Sequence, residues 1–288
     1  MTIPVIAEPA ELRAVLDGRR AEGQRIGLVP TMGALHAGHL SLIRRAGADC
    51  DTVAVSVYVN PLQFAPTDDL ASYPRHLDAD CQQAAAVGAD IVFAPSVVQM
   101  WPEPPATVVR VEGVSAPLEG RSRPGHFDGV ATIVARLFGI AGACSAYFGE
   151  KDFQQLAVLR CMTRDLAIPV DVVACPIVRD PDGLALSSRN AYLTAGERQV
   201  APHLYWGLLA GRRAIEDDGL TDPDAVVTAM ADAVAATPAF TLDYAAVVDP
   251  ADLSVPSRLS GEVRLLVAAE LGRARLIDNI VATVPALT

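Results

Sequence analysis

His36 and His39 stand three positions apart, directly after a short apolar run and a turn that contains Gly33. The apolar run at residues 26–29 predicts a strand, and the pattern at residues 39–46 predicts a helix. In a doubly wound parallel sheet, such a strand-to-helix junction lies at the carboxyl edge, where ligands bind. Two imidazoles on one helical turn, beside the N–H groups of a helix start, can hydrogen-bond a phosphate and share charge that develops at phosphorus.

Less specific interpretations of this histidine pair stay open on the sequence alone. A bare HxxH recurs by chance, so both rings could merely cap a helix or lie on the surface. A metal pair is a further option, but no third ligand stands nearby in the chain. The succession of strand, glycine turn, two histidines and helix within residues 26–46 favours phosphate binding.

Lys151 and Arg189 supply cations in two further clusters of polar residues. Lys151 follows a predicted strand at residues 145–148, where it can hold a phosphate, and Asp152 can complement the start of the next helix. Ser187 and Ser188 precede Arg189, so this segment can donate several hydrogen bonds to a triphosphate beside a fixed positive charge. Taken alone, the first cluster also fits a solvated charged turn, and the second also fits a helix cap.

Neutral amides mark a candidate site for a small hydroxy acid. Asn60 and Gln63 follow the second predicted strand, and Gln154 and Gln155 begin an otherwise apolar predicted helix. These amides suit a polar, uncharged substrate group because they both donate and accept hydrogen bonds. Arg123, in a basic loop, can help balance the charge of an anionic ligand. An ordinary strand-to-turn segment and a surface loop are the alternatives for these stretches.

The spacing of apolar residues predicts an α/β domain followed by a smaller α+β domain. Up to about residue 176, short β-branched runs alternate with helical patterns, which favours a Rossmann-like, doubly wound parallel sheet. Beyond a turn at residues 179–183, helical patterns precede strand-like runs, as in an α+β domain with an antiparallel sheet. We therefore predict domains at residues 1–177 and 178–288. The remaining predicted elements are strands at 52–59, 91–94, 170–174, 242–248, 263–269 and 274–277, and helices at 129–140, 153–166, 195–217 and 222–236.

The composition argues against several classes of protein. The chain has 288 residues, of which 51% are hydrophobic and 20% charged, as in a globular protein with a substantial core. Its net charge of -11 argues against general nucleic-acid binding, which demands clustered Lys and Arg. No apolar segment reaches the roughly 20 residues that span a bilayer, and the N-terminus lacks the pattern of a secretory signal. We therefore expect a soluble, cytoplasmic protein that binds neither nucleic acid nor membrane.

The cysteines favour neither a metal centre nor a disulfide framework. There are 5 of them, widely spaced and without a CxxC pair. Because they stand in apolar stretches, we expect buried, reduced thiols.

Six motifs in register resemble the pantothenate synthetase family (pantoate–β-alanine ligases), and the match weakens only after about residue 193. Within them, residues 36–39 resemble the HxGH signature of the nucleotidyltransferase superfamily, and residues 186–190 resemble a variant of its mobile KMSKS-type loop. One such motif would be weak, but six in one order are highly specific. The motifs are PTMGALHAGH, YVNPLQF, YPR, RPGHFDGV, YFGEKDFQQL and RDPDGLALSSRNAYL.

The resemblance implies an enzyme that condenses (R)-pantoate with β-alanine, using ATP and Mg2+, to give pantothenate, AMP and pyrophosphate through a pantoyl adenylate. It implies that His39 is the proton donor and His36 its phosphate-binding partner, while Lys151 and Arg189 reduce the repulsion between two anions. It also implies a homodimer, with the second domain acting as a lid over the reactive intermediate. Pantoate would bind Gln63 and Gln155, with Asn60 and Arg123 in support. The ATP-binding positions that it implies are Met32, Gly33, Ala34, Leu35, His36, Ala37, Gly38, His39, Gly149, Glu150, Lys151, Asp152, Val178, Leu186, Ser187, Ser188 and Arg189.

The chain departs from the family pattern in a few places. Leu186 stands where the family usually has Met, a swap that should preserve adenine packing. Tyr58 replaces a usual Phe, and His76 replaces a common Thr. Ala79 removes a carboxylate that is often present between Asp78 and Asp80, which leaves open any role of this segment in binding Mg2+.

Two other functions compete with this prediction. One is another HxGH nucleotidyltransferase that acts on a different acid or a phosphorylated acceptor, although a phosphorylated acceptor would need cations where this chain has Gln63 and Gln155. The other is a non-catalytic nucleotide-binding or sensor protein. The intact set of candidate catalytic residues argues against it, namely His36, His39, Lys151 and Arg189.

Overall fold

The computed structural model describes residues 3–64, 70 and 73–285, which form two compact units. The first unit comprises residues 1–150 and 154–176, and the second comprises residues 151–153 and 177–288. The short segment Lys151–Phe153 thus clusters with the second unit, although it lies in the chain between elements of the first.

The first unit is built on a six-stranded parallel sheet in the order β1-β4-β3-β2-β5-β6. The order reverses between β2 and β5, and such a switch point is where doubly wound sheets bind their ligands. β3 is buried along almost its whole length, as a strand covered on both faces must be. The strands are β1 (Val5–Ile6), β2 (Ile26–Thr31), β3 (Thr52–Val57), β4 (Ile91–Phe93), β5 (Cys144–Gly149) and β6 (Val170–Cys175).

Helices cover both faces of this sheet and create a core on each. Leu28 and Ala54 pack into one cluster, whereas their chain neighbours Val29 and Val55 pack into the other, because successive residues of a strand point to opposite faces. The helices in the described part of this layer are α1 (Pro9–Ala21), α2 (Ala37–Asp49), α3 (Leu77–Ala86), α4 (Val97–Met100), α5 (Glu119–Ser122), α6 (His126–Ala141) and α7 (Phe153–Asp165).

The second unit packs helices on a three-stranded antiparallel sheet in the order β7-β8-β9. Its core is a separate cluster that includes Leu208, Met230 and Leu265, all fully buried. The helices are α8 (Ala195–Val200), α9 (His203–Glu216) and α10 (Pro223–Ala235), and the strands are β7 (Phe240–Val248), β8 (Glu262–Leu271) and β9 (Ala274–Thr283). The predicted fold class, a Rossmann-like parallel sheet with a smaller α+β part, is therefore confirmed.

One predicted helix is in fact divided into two, so that prediction was wrong. The single helix expected at residues 195–217 is two helices, α8 and α9, with the break around Pro202. Proline has no backbone N–H and its ring crowds the preceding turn, so the helix stops and restarts there. Thr194 begins α8 with a capping box, in which its side chain accepts from the N–H of Glu197 and the Glu197 carboxylate accepts from the N–H of Thr194.

The cysteines are only partly as expected. None of the five takes part in a disulfide, but Cys81, Cys144 and Cys161 are half-buried rather than buried. Across the described ranges, no helix combines the length and the apolar character needed to cross a membrane.

Candidate active site

The turn that follows β2 has a strained backbone held by hydrogen bonds. Gly33 has a φ of 83° and Ala34 a φ of 51°, a region that L side chains rarely adopt. The Thr31 hydroxyl accepts a hydrogen bond from the N–H of Gly33 at 3.1 Å and donates one to the carbonyl of Ser56 at 2.7 Å. This residue therefore ties the turn to the neighbouring strand β3.

Asp80 holds the same turn from the other side. Its carboxylate accepts from the backbone N–H of Ala34 at 3.0 Å and of Leu35 at 2.8 Å, and the residue is only 1% exposed. A Cβ atom at Gly33 would stand 2.9 Å from a carboxylate oxygen of Asp80, so glycine is needed here for space as well as for its φ. Asp78, in the same helix turn, is exposed. The structure thus gives Asp80 a role that sequence reasoning left open.

The turn delivers the two predicted histidines to the start of α2. His36 is the N-cap residue, and its Nδ1 accepts a hydrogen bond from the N–H of Gly38 at 3.2 Å. The neutral ring therefore carries its proton on Nε2. The centroids of the His36 and His39 rings lie 4.1 Å apart, and both side chains are half-buried. The helix-cap alternative is thus true of His36.

Gln63 and Asn60 form a connected amide pair at the end of β3. Asn60 donates from Nδ2 to the Gln63 Oε1 and to the Gly129 carbonyl, both at 3.1 Å, and its Oδ1 accepts from the N–H of Leu62. Gln63 in turn donates from Nε2 to the Met32 sulfur at 3.1 Å, which links it to the turn after β2. Asn60 is 1% exposed and its amide is fully used, so it orients Gln63.

His126 and Arg123 extend this chain of contacts. The Nδ1 of His126 lies 2.9 Å from the backbone carbonyl of Gln63, and its Nε2 lies 3.1 Å from Nη1 of Arg123. Because a carbonyl only accepts and a guanidinium only donates, the ring is neutral with its proton on Nδ1. His126 lies within the RPGHFDGV motif, but nothing in the sequence by itself marks it as the partner of Gln63.

The two glutamines at the start of α7 have different surroundings. Gln154 is 3% exposed, donates to the carbonyls of Val114 and Pro117, and accepts from the N–H of Glu119, so its amide fixes the loop before α5. Gln155, the position predicted to bind substrate, is half-buried.

Lys151 and Ser187 line one pocket within the second unit. The empty space of about 270 Å³ at this pocket includes open solvent, and Asn190, Tyr205 and Asp278 also contribute to its wall. Ser187 accepts from the N–H of Arg189 at 3.3 Å and so caps the 3-10 helix Ser188–Tyr192. The predicted cap and the predicted ligand segment therefore coincide.

A small hairpin leads into the Ser187 segment. The N–H of Leu186 donates to the carbonyl of Val178 at 2.9 Å, so two positions predicted to bind ATP are neighbours. Arg179 forms a two-pronged ion pair with Asp278, with Nη2 to Oδ1 at 2.8 Å, and donates to the Gly183 carbonyl at 3.0 Å. Burial raises the pKa of Asp278, while Arg179 and then Lys151 act in the opposite direction.

The predicted positions thus fall into two groups, each within one unit. In the first unit, contacts join the turn after β2 to Gln63 and Arg123. β5, the neighbour of β2, ends at Gly149, and Glu150 follows it. In the second unit, Lys151, the exposed Asp152 and the hairpin that carries Ser187 and Ser188 cluster together. No group of three or more His, Cys, Asp or Glu placed to hold a metal occurs among the described residues.

Comparisons with known proteins agree with one another. A sequence profile of the family described as pantoate-beta-alanine ligase matches residues 4–281. The pantothenate synthetase of Cereibacter sphaeroides is 52% identical over 96% of this chain and 99% of its own length.

Solved structures give the same result. The crystal structure of pantothenate synthetase from Thermus thermophilus has a TM-score of 0.91 and 48% identity, over 96% of this chain and 99% of that one. That of pantoate-beta-alanine ligase from Francisella tularensis, complexed with beta-gamma ATP and β-alanine, has a TM-score of 0.79 and 32% identity, over 96% and 97%. This chain therefore belongs to the pantoate–β-alanine ligase family.

Proposed function

We propose that this protein is an ATP-dependent ligase that condenses (R)-pantoate with β-alanine to give pantothenate, AMP and pyrophosphate through a pantoyl adenylate. Family membership supports this activity, as does the related Francisella tularensis structure with its ATP compound and β-alanine. The observation that carries it is the turn after β2, which places two histidine rings 4.1 Å apart at the switch point of a doubly wound sheet. A competing nucleotidyltransferase would share the histidine pair, but the comparisons do not favour it or a nucleotide sensor.

In the first step, the pantoate carboxylate attacks the α-phosphorus of ATP and pyrophosphate leaves. Charge develops on the phosphoryl oxygens, and donors that are already in place stabilise it. The neutral His36 ring carries its proton on Nε2 because its Nδ1 accepts from the Gly38 N–H, and the Nε2–H is the donor proposed for a phosphoryl oxygen. His39 is the proposed proton donor, since its ring lies beside that of His36.

Lys151 and Arg189 supply the positive charge in this proposal. Two anions must approach each other, and cations lower their repulsion. The pocket shared by Lys151 and Ser187 supports phosphate binding by the second unit. ATP is proposed to bind all of the positions that the resemblance implies, including Val178 and Leu186.

Pantoate is proposed to bind Gln63 and Gln155, with Arg123 in support. The Gln63 amide is oriented by Asn60 and its backbone is held by His126, so the side chain is presented in one conformation. Such pre-organisation favours the reaction because the residue need not be ordered when the substrate arrives.

Mg2+ is proposed to enter with ATP, held mainly by the phosphates, as this ion prefers. Both carboxylate oxygens of Asp80 accept backbone hydrogen bonds, so Asp80 does not fit the role of a metal ligand. The ion supplies charge neutralisation for the leaving pyrophosphate.

In the second step, the β-alanine amine attacks the acyl carbon of the adenylate. A C–N bond forms, the bond from the acyl carbon to the phosphate oxygen breaks, AMP leaves, and the amine loses a proton. We propose that the enzyme acts in the cytoplasm as a homodimer, an assembly that sedimentation of the purified protein will test.

The decisive experiment measures pyrophosphate release from ATP, Mg2+ and pantoate, with and without β-alanine. We expect release that depends on pantoate, pantothenate formation when β-alanine is present, and a loss of at least about a hundredfold in kcat for His39→Ala. His76→Ala is the matched control, because His76 is exposed and makes no cap hydrogen bond. A wild-type enzyme that released pyrophosphate only with another acceptor would overturn the substrate and leave the competing nucleotidyltransferase function.

A further inference from the structure

The backbone of Lys151 is attached to the sheet of the second unit. Nδ2 of Asn279, on β9, donates a hydrogen bond to the Lys151 carbonyl at 2.9 Å, across 128 positions of the chain. This contact accounts in part for the clustering of Lys151–Phe153 with the second unit rather than the first. The hydrogen bond thus joins Lys151, which has a proposed role in the reaction, to Asn279, which so far has none.

Asn279 is itself held in one orientation. It is 1% exposed, and its Oδ1 accepts from Nε of Arg264 on β8 at 2.8 Å. The guanidinium of Arg264 lies over the Phe153 ring, 4.2 Å from its centroid. Two contacts from the sheet therefore hold the Lys151 segment, one at its first residue and one at its last.

Polar groups at this place in the sheet call for an explanation. Arg264 is 5% exposed and stands between the buried apolar residues Val263 and Leu265. Burying a charged group is costly, and apolar replacements of buried polar pairs are often at least as stable. A role in positioning would explain why Arg264 and Asn279 are buried here, which stability alone does not explain.

The adjacent residue Asp278 serves the other part of the same pocket. Through Arg179, which also donates to the Gly183 carbonyl, it fixes the hairpin that leads to Ser187. The dipeptide Asp278–Asn279 thus contacts both segments that line the pocket, Lys151 and the hairpin.

We infer that Asn279, oriented by Arg264, is a positioning residue that fixes the Lys151 backbone so that its ammonium meets the ATP phosphates. A lysine carries its charge on a long flexible stem, so the position of its backbone decides which volume the ammonium can reach. The inference rests on the proposed function of Lys151 in that reaction.

The test compares two substitutions that remove the link in different ways. Asn279→Asp keeps the oxygen that accepts from Arg264 but replaces the donor to Lys151 with an oxygen. Arg264→Lys keeps the positive charge and, unlike Asn279→Asp, introduces no carboxylate. It removes the Nε donor to Asn279 and the planar group over Phe153. Val263→Ala is the matched control, because it loses buried apolar atoms of β8 and no hydrogen bond.

The readouts are Tm, KM for ATP and kcat for pantoate-dependent pyrophosphate release, each measured also in a Lys151→Ala background. We expect kcat to fall about tenfold for Asn279→Asp and about threefold for Arg264→Lys, with Val263→Ala within about twofold of wild type. In the Lys151→Ala background, neither substitution should slow the enzyme by more than about twofold, because residues that act through one another are not additive.

Two results would overturn the inference while leaving the proposed function intact. One is that the wild type is active and that Asn279→Asp and Arg264→Lys both keep its kcat for pyrophosphate release. The other is that Asn279→Asp and Arg264→Lys slow the enzyme equally in the wild-type and the Lys151→Ala background. A Val263→Ala variant that loses as much rate at the same drop in Tm would count in the same way, because general destabilisation would then explain the losses. A wild type without pantoate-dependent turnover would instead overturn the proposed function, and this inference with it.

Discussion

The buried carboxylate of Asp80 accepts a hydrogen bond from the backbone N–H of Leu35 at 2.8 Å, across 45 positions of the chain. With its second oxygen it accepts from Ala34, whose φ of 51° is unfavourable for an alanine. A helix of the first unit thus determines the shape of the turn that presents His36. The two partners meet only in the folded chain.

Removing this carboxylate should impair both stability and activity. In Asp80→Ala, the N–H groups of Ala34 and Leu35 lose their acceptor in a buried place, and we expect the free energy of unfolding to fall by about 2 to 4 kcal/mol. We also expect kcat for pyrophosphate release to fall, because the turn relaxes away from its strained conformation. Denaturant titration and steady-state kinetics on the purified variant measure the two effects.

Asp78→Ala is the control for this prediction, because Asp78 is an exposed carboxylate in the same helix turn. It should change the free energy of unfolding by no more than about 0.5 kcal/mol. Equal losses in the two variants would mean that negative charge in this helix, rather than the hydrogen bonds to the turn, is what matters.

Gly129 should tolerate no side chain, because α6 passes very close to the segment that carries Gln63. A Cβ atom at Gly129 would stand 2.1 Å from the Leu62 carbonyl oxygen and 2.6 Å from the Gln63 nitrogen. We expect Gly129→Ala to displace that segment, to destabilise the protein by about 2 kcal/mol or more, and to raise KM for pantoate.

Gly139→Ala is the matched substitution in the same helix. Gly139 is exposed, and a Cβ atom there meets nothing within 4 Å. Alanine favours a helix over glycine, so this variant should be more stable than wild type by about 0.5 to 1 kcal/mol, with unchanged kinetics. Thermal unfolding of the pair decides the matter: two destabilised variants would show that helix packing in general, not the approach to Leu62, is responsible.

The sequence was sufficient for the fold class and for most of the elements around the candidate site. β-branched runs that alternate with helical patterns predict a parallel sheet, and the strand before His36 and the helix after it follow directly. β1 was missed because a strand of two residues has no period, and α3 because its apolar face is weak. The break at Pro202 was missed although proline is a known signal.

The long-range contacts of the site could not be predicted in the same way. Asp80 reads as an ordinary acidic residue at a helix start, and nothing local marks it as an acceptor for Leu35. Asn279 reads, together with Asp278, as a polar pair in an otherwise mostly apolar strand, and its bond to Lys151 spans 128 positions. Such pairings depend on tertiary packing, and for Asn279 the polar pair within an apolar run is the one local signal that could have pointed to it.

Asp51 should make the stability of the first unit depend on pH in the acidic range. Hydrogen bonds from the side chain and the backbone of Arg25 hold the pKa of Asp51 at about 2, below its usual value. A lowered pKa adds stability above the unfolded-state value, and this contribution is lost as the pH falls from about 4 towards 2. In Asp51→Asn, the free energy of unfolding should therefore fall less steeply over that range, as denaturant titrations at several pH values will measure.

Arg25→Met tests the same pair from its other partner. It removes the side-chain donors and should flatten the pH dependence in the same direction. Because both side chains are exposed and solvent screens the pair, the contribution that is present at neutral pH and lost in acid should be small. A variant with Asn at position 51 that kept the full wild-type slope would show that another carboxylate is responsible.

His126 should control how well Gln63 binds pantoate, because its Nδ1–H donates to the Gln63 carbonyl while Arg123 donates to its Nε2. His126→Ala removes both links, and we expect KM for pantoate to rise about tenfold with a smaller change in kcat. His126→Asn keeps a donor near the position of Nδ1 but loses the contact with Arg123, so its KM should lie between those of the alanine variant and the wild type. If the two variants had the same KM, the bond to the Gln63 carbonyl would contribute nothing, and Arg123 alone would account for the effect. Arg123→Ala tests whether Arg123 acts through His126. If it does, the KM for pantoate of Arg123→Ala should equal that of His126→Asn, and if Arg123 acts independently of the imidazole, the two KM values should differ.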